Sequence, residues 1–412
     1  MPNALTKDLE IMFDNMVEGF DAACVVSGQV ARFSPGDQTM QRAGDVVYRP
    51  QDYHMDTVSG LDVSAATPTD LVQRMVPAVY KSPENIVYTL DAKEMRDPYH
   101  MAAAGKASGK RLAAKIDSDM ASAIMLRAGN VVTQTGVFNW DLAATAKRVL
   151  KQKGVPMGVD IKLIMNPLDT QKVAGELGSR SYYQGQTKTS FENGGIPDIA
   201  GMRTFETDIS PTLPAIGTVT GTTLGAIASF TPTAMTGDLP TDNRQQTITV
   251  AGTNIANIKN GDVFTLANAG TPINSVHMIT KDDTGEPQTF RVLSGGGTAT
   301  LTITPPLVAS GPYRNVTAQG ASGATLTFKN TAAKSVSVGF AEGAVELMTG
   351  NLAFPTDQGP KIVRTTSKNG IPLIFAYVFD AFTGKTKVRV TSLYGTTVLQ
   401  PELCFMALAS QP

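Results

Sequence analysis

The chain has 412 residues, with 35 Lys plus Arg against 36 Asp plus Glu and a net charge of -1. At ~150 residues per domain that is room for two or three domains and a sizeable core, and the balanced charge excludes a dedicated nucleic-acid-binding face. Charged residues make up only 17% where ~25% is usual, which fits a chain that hides surface against copies of itself and equally fits a secreted β protein.

Residues 3–22 read as an amphipathic helix, with Leu5, Leu9, Met12, Phe13, Met16 and Phe20 on one face. It is expected to stand apart from the spine like an arm, packing either in the core of its own chain or, the sharper reading, on a neighbouring subunit. Cys24 follows; it and Cys404 sit in apolar contexts at opposite ends and define neither a disulfide framework nor a metal pattern. The N-terminus has acidic and polar residues where a signal peptide needs an apolar core. No run approaches the ~18 apolar residues of a membrane span. The expectation is a soluble product made in a cytoplasm, with no membrane partner.

Residues 23–92 carry two β-prone pieces, Val46 to Tyr48 and Ile86 to Leu90, around a polar stretch from Gln51 to Thr69. They resemble an extended hairpin that cannot bury itself. Long loops of this kind are lids or clasps.

Asp97 to Ala128 is the longest regular stretch. Asp97-Pro98 supplies a cap and a first-turn proline. Met101, Ala104, Ala107, Leu112, Ile116, Met120, Ala123 and Ile124 form the apolar stripe. Lys106, Lys110, Arg111, Lys115, Asp117 and Asp119 are assigned to the other face. Gly129-Asn130 ends it. This is a spine of ~45 Å.

After the spine, a helix led by Trp140-Asp141, capped by Asp141, runs to Lys153. Val159 to Met165 is a strand, and Asn166-Pro167 starts a helix that ends near Gly178. Ser179 to Gly195 is polar. Residues 212–330 change character: 24 Thr and 12 charged residues, six of each sign, with no helical period. Alternating runs such as Thr247 to Val250, Val263 to Leu266, Leu301 to Thr304 and Thr325 to Phe328 mark an inserted antiparallel barrel or sandwich. Lys281 to Gly285 reads as a hairpin tip. From 331 a mixed pattern resumes, with a meander over 361–393 turning at Asn369-Gly370 and Gly384-Lys385. A last apolar run, Leu403 to Leu408, can return to the spine.

No catalytic pattern survives inspection. His54, His100 and His277 fall in three different segments. Gly105 to Arg111 is one residue short of a phosphate loop and lacks its Ser or Thr; Gly384-Lys385-Thr386 has Phe379 where the first glycine belongs. No nucleophile elbow, dinucleotide fingerprint or calcium loop is present. The expectation is a non-enzyme without cofactor or metal.

Several stretches, in order, carry a resemblance. Met40-Gln41-Arg42 before Pro50, Asn166-Pro167-Leu168-Asp169, Phe230-Thr231-Pro232 with Asp242-Asn243-Arg244, and Leu393-Tyr394-Gly395 with Pro401-Glu402 resemble tailed-bacteriophage major coat proteins. The type is that of short-tailed Salmonella phages with an inserted β-barrel. The resemblance implies an α+β capsid fold: N-terminal arm 1–36, extended loop 37–75, peripheral domain 76–130 completed by 385–412, axial domain 131–211 and 331–384, and inserted barrel 212–330. It implies self-assembly into pentamers and hexamers of an icosahedral virion capsid, built in the host cytoplasm with a scaffolding protein. It further implies a portal protein at one vertex and packaged double-stranded DNA inside. Contact between capsomers is expected from Asp238, Asp242, Asn243 and Arg244 pairing across a symmetric contact. Contact between subunits is expected from Arg42, Arg49, Asp52, His54 and Asp56. The spine core is Met101, Leu112, Ile116, Met120 and Ile124. The alternatives are a tail or decoration protein, and a carbohydrate-active enzyme with a β binding insert.

Overall fold

A computed structural model describes residues 4–35, 41–64, 71–91, 93–156, 158–179, 192, 194, 196–353 and 360–411. Met40, the end of the Gln51 to Thr69 stretch, most of Ser179 to Gly195 and the side chain of Leu5 lie outside them. The chain forms two units, one drawn from Met1–Val47, Ala78–Ala121 and Glu346–Thr397, the other from Tyr48–Pro77, Ser122–Val345 and Val398–Pro412.

The first unit pairs two helices with a sheet. Helix α1 (Ala4–Ala23) and helix α2 (Pro98–Arg127) are the arm and the spine of the sequence reading. The Asp97 carboxylate accepts from the Tyr99 N–H at 2.9 Å, holding a donor of the first turn. The sheet runs Ala31–Phe33, Val345–Gly350, Lys385–Val398, Pro372–Asp380, Lys361–Thr366, with Glu84–Asp91 also on Lys385–Val398. One face receives α1: the Phe13 ring meets Phe375 at 5.7 Å and the Tyr88 hydroxyl donates to Met12 Sδ. The other leaves Val87 and Val378 exposed.

Three expectations change here. Helix α1 does not stand apart; it lies against α2 of its own chain, with Met12, Met16 and Phe20 buried. The reason is a pair of glycines, because a Cβ on Gly105 or Gly109 would enter the carbonyl oxygens of Met12 and Met16. The helices therefore meet backbone to backbone. Ala107 is exposed, whereas Asp117, assigned to the polar face, is fully buried. Val46–Pro50 pairs with Met75–Val79, a strand the sequence reading missed, and Glu84–Asp91 pairs with Lys385–Val398 instead.

In the second unit a five-stranded sheet runs Asn130–Thr133, Cys404–Leu408, Ser337–Ala341, Ile161–Met165, Arg203–Glu206. Helix α3 (Trp140–Gln152) buries Leu142, Ala146 and Leu150 in the same core as Leu163, Met165 and Phe405. Its cap is Asn139, whose side chain accepts from the Leu142 N–H, and not Asp141, which falls inside the first turn. Helix α4 (Pro167–Gly178) is capped by Asn166. The last strand runs parallel to Asn130–Thr133, the segment that leaves the spine.

The insert closes on itself. Val263–Asn268, Thr289–Ser294, Thr300–Thr304, Gln246–Thr253, Thr220–Leu224 and Thr325–Phe328 follow one another, and the sixth pairs with the first. Full closure leaves no sheet edge. Alternation puts Phe264, Phe290, Ile248, Leu301, Ile303 and Leu326 inside and Thr outside. The ends of the insert meet, since Thr212–Leu213 pairs with Lys334–Ser335. Asp283–Pro287 is a strand against Asn274–Val276, so the hairpin connection is 277–282: Lys281 and Asp282 belong to it as expected, whereas Asp283, Thr284 and Gly285 lie in the strand.

Candidate functional site

Two exposed excursions of the second unit are the candidate surfaces. The first is the extended loop. Its roots are the paired strands Val46–Pro50 and Met75–Val79, and residues 51–64 between them form no helix or strand. Tyr53, Met55, Val58 and Val63 are exposed, and Leu61 is 108% exposed, so its side chain is not packed against any of the described residues. Asp52 and Asp56 are exposed, while Arg49 and His54 are half-buried. In the first unit, Arg42 is exposed and its backbone N–H donates to the Asp45 carboxylate at 2.7 Å. The Asp52 carboxylate accepts from Gln400 at 2.6 Å.

The second is a hairpin, Met235–Thr236 against Leu239–Pro240, turning at Gly237 with φ +62°. Asp238 is exposed at its tip, flanked by exposed Met235 and Leu239. Asn243 is buried at the base, where its amide spans Thr233: the oxygen accepts from the Thr233 N–H at 3.0 Å and the nitrogen donates to the Thr233 carbonyl at 2.8 Å.

Asp242 and Arg244 correct the sequence reading. Their side chains are 11% and 4% exposed, and they pair with each other inside one chain. Arg244 donates to both Asp242 oxygens, at 2.8 Å each, and a third N–H reaches the Val398 carbonyl at 2.6 Å. Arg127 stands 3.9 Å from the same carboxylate. Burial pushes the Asp242 carboxyl up, but the hydrogen bonds and charge of Arg244, with Arg127 behind, outweigh it and hold it below the usual range. Three Arg244 N–H donors and both Asp242 oxygens are thus engaged within the chain, and neither side chain projects from the surface.

The spine residues Met101, Leu112, Ile116, Met120 and Ile124 are buried. Sequence reasoning missed Asp117, whose carboxylate accepts from the N–H groups of Val25, Val26 and Ser27 at 2.7, 3.0 and 2.8 Å. Burial pushes the Cys24 thiol up to about 11 and the Cys404 thiol up as well, which makes both inert at neutral pH. Among the described residues no three His, Cys, Asp or Glu side chains gather as metal ligands, and no helix is long and apolar enough to cross a membrane.

An α+β body with a long spine helix, an extended loop and a closed barrel inserted between paired ends is the architecture of a virus shell subunit. The chain belongs to the P22 coat protein family: the model described as "P22 coat protein - gene protein 5" matches residues 1–409. Solved structures it resembles include one from Mycobacterium phage Che8, at 13% identity over 88% of this chain and 84% of that one, TM-score 0.42. The capsid of cyanophage P-SCSP1u aligns at 10% identity over 93% and 86%, TM-score 0.44. The mature capsid of bacteriophage PhiM1 aligns at 10% over 94% and 87%, TM-score 0.42. The protein is a major capsid protein: its copies assemble with one another into the icosahedral shell of a bacteriophage virion.

Proposed function

We propose that this subunit builds pentamers and hexamers around a scaffolding protein in the host cytoplasm, with a portal at one vertex, and that the finished shell holds double-stranded DNA without reading its sequence. It works without catalysis. In this reading 1–36 is the arm, 37–75 the extended loop, 76–130 with 385–412 the peripheral domain, 131–211 with 331–384 the axial domain and 212–330 the insert. Net charge near zero supports it, because hundreds of like subunits then meet without strong mutual repulsion.

The observation that carries the reading is the extended loop. Tyr53, Met55, Val58, Leu61 and Val63 hold large apolar side chains in water within one short segment. Isolated exposed apolar residues are ordinary, but a cluster marks a contact surface. Burying such side chains yields ~25 cal/mol per Å² of apolar area. A neighbouring subunit is the occupant a shell supplies. The loop then acts as a clasp, with Arg42, Arg49, Asp52 and Asp56 placed at its roots and along it. The hairpin tip at Asp238, with Met235 and Leu239, serves as a contact between capsomers.

The test is a double substitution, Met55→Asp with Leu61→Asp. Neither side chain supports the fold, so the monomer should keep its circular dichroism spectrum and melting temperature. Assembly with the scaffold should fail. Particles formed at the unaltered yield would remove the loop from the contact.

A further inference from the structure

The two roots of the extended loop meet at one side chain. Tyr313 lies in the insert between the strands Thr300–Thr304 and Thr325–Phe328, and is 9% exposed. Both its hydroxyl and its ring are engaged. The hydroxyl donates to the Val72 carbonyl at 2.7 Å. The Arg74 guanidinium stands over the ring, 4.1 Å from its centroid. The His54 ring packs edge-on at 5.6 Å with a 75° interplanar angle. Arg74 in turn donates to the Asp52 carbonyl at 3.0 Å, and the Gln51 N–H donates to the Arg74 carbonyl at 3.0 Å. Residues 51–54 and 72–74 are thereby tied to each other and to the barrel.

We propose that Tyr313 is a latch that fixes the direction in which the extended loop leaves the subunit, and that protonation of His54 opens it. A loop free to swing must be ordered each time it docks on a partner, at a cost in conformational entropy. A latch inside the chain removes that cost before assembly begins. Cation–π and edge-to-face contacts of this kind are individually modest, enough together to hold a root and weak enough to release it.

His54 is the trigger because of what surrounds it. Burial, then the positive charges of Arg74 and Lys281, push its imidazole down to about 4, against the weaker pull of Asp52. A proton on the ring places a third cation beside two others. A released loop returns His54 to water, where it titrates near 6.5. The latch is therefore at full strength above pH 6.5, weakens as the pH falls from 6.5 towards 4, and changes no further below that. By pH 5 the ratio of latched to released loop falls roughly tenfold or more, allowing for partial exposure of the ring.

The inference rests on reading 37–75 as the clasp, but its test uses the unassembled full chain. Spin labels are placed at Leu61 and at Thr298 on the exposed turn of the barrel, with Cys24 and Cys404 replaced by Ala. Pulsed dipolar spectroscopy reads the distance between them. One narrow distribution is expected at pH 7.5 and an added broad component at pH 5. Tyr313→Ala, or Arg74→Gln if the first variant fails to fold, should be broad at both pH values. His54→Phe keeps an aromatic edge without a titrating nitrogen and should be narrow at both. An unaltered chain with the same distribution at pH 7.5 and pH 5, a narrow distribution in Tyr313→Ala or Arg74→Gln, or a pH response kept by His54→Phe overturns the latch. Failure of the clasp reading looks different: the distances behave as stated while Met55→Asp with Leu61→Asp still forms shells.

Discussion

Asp117 and Ser27 are 90 residues apart in sequence and joined at 2.8 Å, the buried carboxylate of one accepting from the backbone N–H of the other. Val25 and Val26 complete the set. Three donors that leave α1 without helical partners are thus held by one side chain in the middle of the spine. A buried charge is tolerable only when its hydrogen-bonding capacity is used, and here three backbone N–H groups supply it.

Asp117→Ala therefore strands three buried or half-buried donors and should cost roughly 3 kcal/mol in urea unfolding. Asp117→Asn keeps one oxygen acceptor and should cost about half as much. The protection of the Val25 to Ser27 amides against hydrogen exchange should fall in both. Unchanged protection would mean that the turn is held by something else.

The glycine contact between α1 and α2 makes a second prediction. Gly109→Ala drives a methyl group into the Met16 carbonyl, and Gly105→Ala does the same at Met12. Either should cost roughly 1–3 kcal/mol through overpacking, despite raising helix propensity. The exposed control Ala107→Ser should be nearly silent. Limited proteolysis should release α1 from the two glycine variants at protease levels that leave the control whole.

What the letters showed and hid follows from range. The spine ends at Asp97-Pro98 and Arg127, the Asn166-Pro167 helix start and the alternating Thr strands are written in neighbouring residues, and local periodicity reads them. Closure of the barrel by Thr325–Phe328 on Val263–Asn268 is a pairing of distant strands, and alternation alone fits a sandwich as well. Asp117 was misplaced because a charged residue is assigned to solvent unless its partners are known, and those partners are backbone groups with no side-chain signature. Gly105 and Gly109 fail as a phosphate loop in the sequence, but nothing local shows that their small size serves the packing of α1 on α2. Asp242 and Arg244 were given to an interface because sequence cannot show that two neighbours already satisfy each other.

The Asp242–Arg244 pair gives a third prediction. Removing one partner of a buried pair leaves the other uncompensated, so Arg244→Ala or Asp242→Ala should cost roughly 3–5 kcal/mol. The double variant should cost less than the sum. Because the Asp242 carboxyl is held below its ordinary value, the pair's contribution is fully present above about pH 4. It is lost as the pH falls through the lower folded value. The difference in unfolding free energy between the parent and Asp242→Asn should accordingly narrow below pH 4. A difference that stays constant from pH 6 to pH 2 would contradict the assignment.

The paired ends of the insert give a fourth. Thr212–Leu213 and Lys334–Ser335 already lie side by side, so replacing 216–330 with a short turn should leave the five-stranded sheet able to form. Gln288 and Thr289 of the insert hold the Gly129 carbonyl at 3.1 and 3.0 Å, and those contacts go with it. The shortened chain should fold with a lower melting temperature and a poorer refolding yield. A melting temperature equal to the parent's would show that the barrel contributes nothing to the body.

The central claim is that isolated subunits carry surfaces only sister copies complete. Electron microscopy of the purified protein under assembly conditions, alone and with the scaffolding partner proposed above, tests it most directly. The expected image is a closed icosahedral particle in which residues 53–64 of each subunit lie on a neighbour. Chains that stay monomeric under every assembly condition, or particles in which that segment faces open solvent, would contradict it.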